Sequence, residues 1–177
     1  MKTTDRKNNS ESGFSMVEAL VSMAILAIIA AIAIPNLIAF KQNSQLSAAS
    51  RELFSGFQQA KMTAIKRNAN CTITFNQPVA GTTYDYVVYV DENNDLKYDT
   101  NEEIIVSQLW EQSANIDSVI PISFLDNDEG NPSIAFSPYG LPSDKDGKLV
   151  NGTITLTNPN RVKNLELSIV GNVKITS

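Results

Sequence analysis

The longest apolar run of the chain lies close to its N-terminus. From Ala19 to Ile34 there is no charge and a single hydroxyl group, that of Ser22. A helix from Phe14 to Ile34 would be roughly 31 Å long, enough to cross the hydrocarbon core of a bilayer. Three cations precede it: Lys2, Arg6 and Lys7. Because positive charge stays on the cytoplasmic side, the pattern predicts one membrane-spanning helix that sends the rest of the chain outward.

A helical pattern continues beyond this run. Pro35 follows it and should kink or locally unwind the helix, since proline lacks an N–H and clashes with the preceding turn. Further on, apolar residues recur at helical spacing and predict one core-facing side. They are Leu46, Ala49, Leu53, Phe57, Ala60 and Ala64. Lys66 and Arg67 suit a helix C-terminus, and Asn68 and Asn70 are suitable stop residues.

After Asn70 the pattern becomes typical of strands. Eight segments are rich in Val, Ile, Thr, Tyr and Phe and are separated by Asn, Asp, Gly and Pro. They are Cys71–Phe75, Tyr84–Val90, Glu103–Trp110, Ser118–Leu125, Ser133–Phe136, Gly152–Thr157, Asn164–Val170 and Asn172–Ile175. Short connections favour antiparallel pairing. We therefore expect an α+β fold in which a long N-terminal helix packs on antiparallel β-sheets.

The composition argues against catalysis. The 177 residues include no histidine and one cysteine, Cys71. Histidine is the commonest general base and metal ligand, and a single cysteine cannot form an internal disulfide. The sequence also has no nucleophile elbow, phosphate-binding glycine loop or zinc-type cluster. We predict that the protein is not an enzyme and that Cys71 is a small apolar strand residue.

Acidic residues are concentrated in the middle of the chain. Between residues 91 and 130 there are eleven acids and one base, Lys97, whereas the balance from residue 141 onward is slightly basic. The whole chain has a formal net charge of −5. This distribution lacks the electrostatic footprint of a strong nucleic-acid binder, so the sequence does not favour DNA as a partner.

One carboxylate lies inside the N-terminal apolar region. The residues from Gly13 read Gly-Phe-Ser-Met-Val-Glu, and they end at Glu18. A charge in a membrane-length apolar segment is costly, so it is read as functional by default. A secretory signal peptide has a shorter apolar region, a lipoprotein needs a cysteine at the cleavage point, and a plain anchor does not require the glutamate.

This N-terminus resembles the class III signal of type IV pilins and pseudopilins. In that family a prepilin peptidase cleaves after the glycine, here Gly13, and methylates the new N-terminus, here Phe14. The resemblance implies that Glu18 neutralises the N-terminal ammonium of Phe14 on a neighbouring subunit. Leaving one partner of such a pair alone would cost several kcal/mol, which would select correctly staggered subunits. Alternatively, Glu18 reaches the headgroup layer without a partner.

Three further segments are similar to GspH/FimT-type minor pilins and pseudopilins. Residues 59–68 resemble the Ala-Arg-x-x-Ala-Ile-x-Arg-Asn pattern of that family. Residues 135–140 and 152–156 look like its paired strands, and residues 169–175 resemble its terminal Gly-Arg-Val-Arg-Ile strand. Together with the N-terminus, the resemblance covers nearly the whole chain.

The resemblance divides the chain into four parts. A leader peptide over residues 1–13 would be removed, and residues 14–34 would form the transmembrane and assembly half of the helix. Residues 35–70 form its amphipathic half, and residues 71–177 form a periplasmic antiparallel β domain.

The C-terminal segment departs from the family pattern. In some FimT-type proteins the two arginines of the terminal motif are implicated in DNA binding. Here the corresponding residues are Asn172 and Lys174. Lysine meets a phosphate as a point charge and lacks the planar fork of arginine, so the substitution weakens the DNA hypothesis. The alternative is an ordinary strand that begins after a turn.

An acidic loop provides a candidate metal site. Oxygen-bearing residues fall at positions 1, 3, 5, 9 and 12 of an EF-hand-like loop, with the carbonyl of residue 97 at position 7. These positions are Asp91, Asn93, Asp95, Lys97, Asp99 and Glu102. Position 6 is Leu96 in place of the usual glycine, and the flanking segments read as strands. The two hypotheses are a calcium loop and a solvated hairpin loop whose Asn and Asp residues favour turns.

These features predict a membrane-anchored filament subunit. It would be processed by prepilin peptidase, assemble with other pilins or pseudopilins through its N-terminal helix, and help to prime or cap a type IV pilus-like filament. It would reside in the inner membrane with its C-terminal domain in the periplasm before entering the pilus or pseudopilus. The alternatives are a GspH-like pseudopilin of type II secretion and a FimT-like subunit that binds DNA during uptake.

Overall fold

The computed structural model describes residues 14–110, 115–121, 123, 124, 127 and 129–176. The chain divides into two compact units between Ile38 and Ala39. The predicted leader, including Gly13, lies outside the described residues.

The first element is a single long helix, α1, which spans Met16–Arg67. Ser15 begins it: the Ser15 hydroxyl accepts the N–H of Val17 at 3.3 Å, which satisfies one of the unpaired donors of the first turn. The helix ends before Asn68, whose φ of 53° is the left-handed conformation that often terminates helices. The prediction that Asn68 stops the helix is confirmed, and the last helical residue lies three positions before the predicted boundary at residue 70.

The larger sheet has five strands in the order β3-β2-β1-β5-β6, and all neighbouring strands are antiparallel. The strands are β1 (Asn70–Val79), β2 (Thr82–Asp91), β3 (Ile104–Gln108), β5 (Ser133–Phe136) and β6 (Pro142–Ser143). Strands β1 and β2 form a hairpin in which Asn70 pairs with Asp91. This register places the acidic loop directly after the sheet, at the end where α1 terminates.

The smaller sheet has four antiparallel strands in the order β4-β7-β8-β9. The strands are β4 (Asp117–Val119), β7 (Gly152–Asn158), β8 (Arg161–Leu167) and β9 (Val173–Thr176). The predicted α+β fold, a long helix with antiparallel sheets, is therefore correct.

The core lies between the helix and one face of each sheet. Every predicted apolar position of the helix from Leu46 to Ala64 is buried there. The sheets contribute alternating residues, among them Ile73 and Phe75 of β1 and Ile154 and Leu156 of β7. The ring of Phe57 meets that of Phe136 edge to face at 6.0 Å.

The opposite face of the five-stranded sheet is also buried. Thr72 and Thr74 are fully covered although their side chains lie on the side away from the helix. The loop after β2 packs on this side: the ring of Tyr98 lies against that of Tyr89 at 5.5 Å, and Leu96 of the same loop is buried. The sheet is therefore sandwiched, which explains why β2 contains a run of buried residues instead of an alternating pattern.

Several sequence predictions need correction. Of the two effects expected at Pro35, local unwinding does not occur. Helix α1 continues through this residue, since proline removes one hydrogen bond while the flanking turns keep theirs.

Two predicted strands have different bounds. The segment 118–125 is a strand only to Val119, because Pro121 follows and cannot donate to a ladder. Ile122 and Leu125 lie outside the described residues. The strand predicted at 164–170 begins three residues earlier and ends at Leu167.

Candidate assembly segment and accessory loops

The N-terminal part of α1 is almost wholly apolar and exposed. Phe14 is 74% exposed, and the large apolar side chains that follow it as far as Phe40 are exposed as well. Among the described residues, α1 is the one helix whose length and composition would allow it to cross a membrane. An apolar surface of this extent requires lipid or other protein around it.

Glu18 lies in the first turn of this helix and is exposed. A carboxylate there is favoured by the positive end of the helix dipole. The Ser22 hydroxyl donates to the backbone carbonyl of Glu18 at 2.7 Å, which leaves the carboxylate itself unused. Within the residues that the structure describes, that carboxylate has no hydrogen-bond or ion-pair partner. It is therefore available to a group on another molecule.

The acidic loop is organised by its own backbone. The Asp91 carboxylate accepts the N–H groups of Asn94 at 2.6 Å and Leu96 at 3.1 Å. It also accepts the hydroxyl of Thr72 at 2.8 Å. At the other end of the loop, the Glu102 carboxylate accepts the N–H groups of Glu92 and Asp99, both at 3.0 Å. The first and last predicted calcium ligands thus close the loop by themselves.

Two of the remaining predicted ligands, Asp95 and Asp99, meet at the side chain of Asn93. The Asn93 amide donates to a carboxylate oxygen of Asp95 and to one of Asp99, each at 3.1 Å. The Lys97 N–H donates to Asp95 at 2.8 Å. Leu96 has a φ of 61°, so the left-handed turn that position 6 of an EF-hand needs is formed without glycine. Burial of the Leu96 side chain, which is 2% exposed, offsets the strain of that conformation.

The calcium hypothesis stays a prediction. The donor set is chemically suitable, since calcium prefers oxygen ligands. However, among the described residues no group of three or more His, Cys, Asp or Glu side chains converges in a way that could hold a metal. Burial raises the pKa of the Asp91 carboxyl above its usual value, although its hydrogen bonds from Thr72, Leu96 and Asn94 oppose the shift. Burial likewise raises the pKa of Glu102.

The two positions compared with DNA-binding arginines lie at the last hairpin. Two hydrogen bonds between Ser168 and Asn172 close the turn between β8 and β9. The Ser168 N–H donates to the Asn172 carbonyl at 2.9 Å, and the Asn172 N–H donates to the Ser168 hydroxyl at 3.0 Å. Lys174 is directly opposite Glu166 in the β8–β9 register. Glu166 also accepts the Thr176 hydroxyl at 3.0 Å. A phosphate approaching Lys174 would therefore meet an adjacent carboxylate, which disfavours its binding.

Other contacts were not indicated by any sequence pattern. The Lys61 ammonium, on the exposed side of the helix pattern, donates to the carbonyl of Gly171 at 2.9 Å and so ties α1 to the last hairpin. The Asn127 amide donates to the carbonyl of Leu96 at 2.9 Å. Arg67 forms a two-pronged ion pair with Glu103, which lowers the pKa of Glu103. Such contacts join residues far apart in the chain, so local periodicity carries no signal for them.

Cys71 is buried, as its strand assignment predicted. Burial raises the pKa of the thiol to about 12, which keeps it protonated at neutral pH. The thiol is therefore a packing group and not a nucleophile.

Comparisons with known proteins agree with this architecture. Residues 49–172 match the family described as type II transport protein GspH, and residues 8–34 match the prokaryotic N-terminal methylation motif. The chain is also similar to the pilin-like protein PilA1 of Thermus thermophilus. The two are 26% identical over 165 residues, which are 92% of this chain and 97% of that protein. No solved structure matches the chain.

A methylation motif followed by a long helix and antiparallel sheets defines a type IV pilin-like protein. More specifically, the chain belongs to the GspH family, since the family match covers well over half of its length.

Proposed function

We propose that this chain is a minor pilin or pseudopilin that helps to prime or cap a type IV pilus-like filament. The observation that carries the proposal is the exposed apolar start of α1, with the Glu18 carboxylate available in its first turn. Prepilin peptidase would cleave after Gly13 and methylate Phe14. The Phe14 ammonium of one subunit would then meet Glu18 of its neighbour in a low-dielectric setting where an unpaired charge is costly.

Before assembly the protein is anchored in the inner membrane by one helix. The cations of the leader support an orientation that places residues 39–177 in the periplasm. Its partners are prepilin peptidase, then other pilins or pseudopilins through the N-terminal helix. Its role is structural and not enzymatic, in keeping with the lack of histidine and the inert thiol at Cys71.

Two alternatives concern the machine that the subunit serves. A GspH-like role in type II secretion is supported by the family match. Co-purification with secretion-system pseudopilins instead of pilins would favour it. A FimT-like role in DNA uptake has less support, because Lys174 lies opposite Glu166. Salt-dependent retention of DNA by the purified protein would favour that role.

Intact-mass spectrometry tests the central proposal. The protein would be recovered from membranes and from sheared filaments of a strain with active prepilin peptidase. We expect a mass without residues 1–13 and with one additional methyl group, in both fractions. An uncleaved mass found only in membranes would make the protein a simple anchored protein and would overturn the proposal.

A further inference from the structure

The tip of the β7–β8 hairpin reaches helix α1 at the beginning of the folded unit. The Asn158 side-chain amide donates to the side-chain oxygen of Asn43 at 3.3 Å. The Asn160 amide donates to the side-chain oxygen of Gln42 at 3.0 Å. These contacts join residues 115 and 118 positions apart in the chain. They lie one helical turn before Leu46, the first buried residue of the helix.

Asn158 is held in an orientation that suits this contact. Its side-chain oxygen accepts the N–H groups of Asn160 at 2.9 Å and Arg161 at 2.7 Å, so it shapes the hairpin turn. Because that end of the amide must be the oxygen, the other end must be the NH₂ group. The NH₂ group points to the helix. Asn158 is only 8% exposed, which limits the alternatives open to its side chain.

The helix packs less closely against the core in this segment. None of the residues from 39 to 45 is fully buried, although Gln42, Asn43 and Gln45 are half-buried, and the first buried side chain of the helix is that of Leu46. Asn43 and Ser44 are poor helix formers compared with alanine or leucine. Ser47 donates its hydroxyl to the carbonyl of Asn43 at 2.9 Å, a bond that competes slightly with the helical ladder.

We propose that Asn158 and Asn160 form a latch that holds residues 39–45 in helical conformation at the edge of the folded unit. The latch is a conformational device of the fold, and it adds a role for the β7–β8 hairpin beyond sheet formation. The consequence for a filament subunit rests on the proposed function: the latch would set the residue at which the helix becomes part of the folded unit.

Hydrogen exchange of the full chain in detergent micelles, followed by mass spectrometry, tests the latch. The informative variant is Q42A/N43A, because alanine is the better helix former. If helix propensity governed the segment, this variant would slow the exchange of residues 39–45. The latch predicts the opposite: about fivefold faster exchange there, since two hydrogen bonds are lost.

A second variant approaches the latch from the hairpin. N160A removes one contact and leaves the Asn158 turn bonds intact, so we expect a smaller acceleration over residues 39–45 and unchanged exchange in β7 and β8. The matched control is N164A, which removes an amide of the same hairpin that bonds Thr155 and not the helix; it should leave residues 39–45 unaffected. Unchanged or slower exchange over 39–45 in Q42A/N43A overturns the latch. That result would leave the filament proposal untouched, since processing and assembly are measured separately.

Discussion

The two units of the chain use apolar residues in opposite ways. In the first unit the large apolar side chains from Phe14 to Ile38 are exposed, and no residue that the structure describes covers them. In the second unit the apolar face of the same helix is buried against two sheets, and even hydroxyl groups such as that of Thr74 are inside. The first unit thus depends on lipid or neighbouring subunits, whereas the second folds on its own contacts. Substitutions in one unit should therefore leave the other intact.

The largest effect should follow from Glu18→Gln. This variant keeps the size of the side chain but removes the charge that would meet a neighbouring Phe14 ammonium. We expect its amount in sheared filaments to fall by about tenfold or more, while the level in membranes is unchanged. Immunoblots of the two fractions measure this ratio.

The control for this variant is Ser22→Ala, one turn further along the same apolar segment. Its hydroxyl donates to the backbone of its own helix, so this variant should assemble normally. Equal incorporation of Glu18→Gln and wild type would contradict the assigned role of Glu18.

The next largest effect tests the second unit. Gly171 has a φ of 73°, and an added Cβ would clash with the carbonyl oxygen of Gly140. Gly171→Ala therefore combines backbone strain with a clash against backbone, and we expect it to lower the free energy of unfolding by about 3 kcal/mol. Urea unfolding followed by the fluorescence of Trp110, the single tryptophan, provides the measurement.

Gly147→Ala is a matched control, because Gly147 has the same φ of 73° but no atom of the described residues lies within 4 Å of the added Cβ. It should cost only about 1 kcal/mol. If both variants lose the same amount, backbone strain alone explains the effect and the packing of the two turns does not matter. Membrane insertion should be normal in both.

The acidic loop should show a somewhat smaller effect with a distinct pH dependence. Asp91→Ala leaves three donors without their acceptor, and we expect a loss of about 2 kcal/mol at neutral pH. Because burial raises the pKa of Asp91, the folded state holds its proton more tightly than the unfolded chain does. This contribution to stability is fully present below the usual pKa and is lost as the pH rises through the raised value. The difference between wild type and variant should therefore widen from about pH 7 to about pH 4.

The same unfolding measurements, made at both pH values, test this sign. A difference that narrows on acidification would mean that the hydrogen bonds of the Asp91 carboxylate outweigh its burial. Glu103 supplies a contrasting case, since Arg67 lowers its pKa and its contribution is lost as the pH falls.

The smallest effect is expected from calcium. The calcium prediction requires that millimolar calcium raise the unfolding midpoint of the wild-type protein and that Asp99→Asn weaken the response. Asp99 suits the test because its side chain does not close the loop in the way that Glu102 does. Isothermal titration without heat, together with an unchanged midpoint, would contradict the prediction.

Much of the fold could be predicted from local pattern. The apolar positions from Leu46 to Ala64 identified the buried helix face, and the strand at Ser133–Phe136 has the bounds that the sequence indicated. Less could be predicted where strand pairing sets the bounds of a strand. The two-residue strand at Pro142–Ser143 has no propensity signal, and the shift of β8 follows from its pairing with β7.

The candidate sites divide in the same way. The apolar segment that contains Glu18 could be recognised as a candidate from the sequence, because length, polarity and the position of one glutamate are local properties. The accessory loops are not, because their roles depend on partners elsewhere: Asp91 bonds Thr72 across the sheet, and Lys174 is opposed by Glu166 only in the folded register.

The resemblance of short motifs indicated the family to which the chain belongs. Local pattern was enough to predict the membrane-length helix, its glutamate and the change to strands after Asn70. These features depend on periodicity and composition along contiguous residues. The folded arrangement was needed to show that the acidic loop closes on its own N–H groups and that a hairpin tip meets the helix at Gln42 and Asn43. Both depend on hydrogen bonds whose partners are set by strand register, and register is fixed by packing of the whole unit.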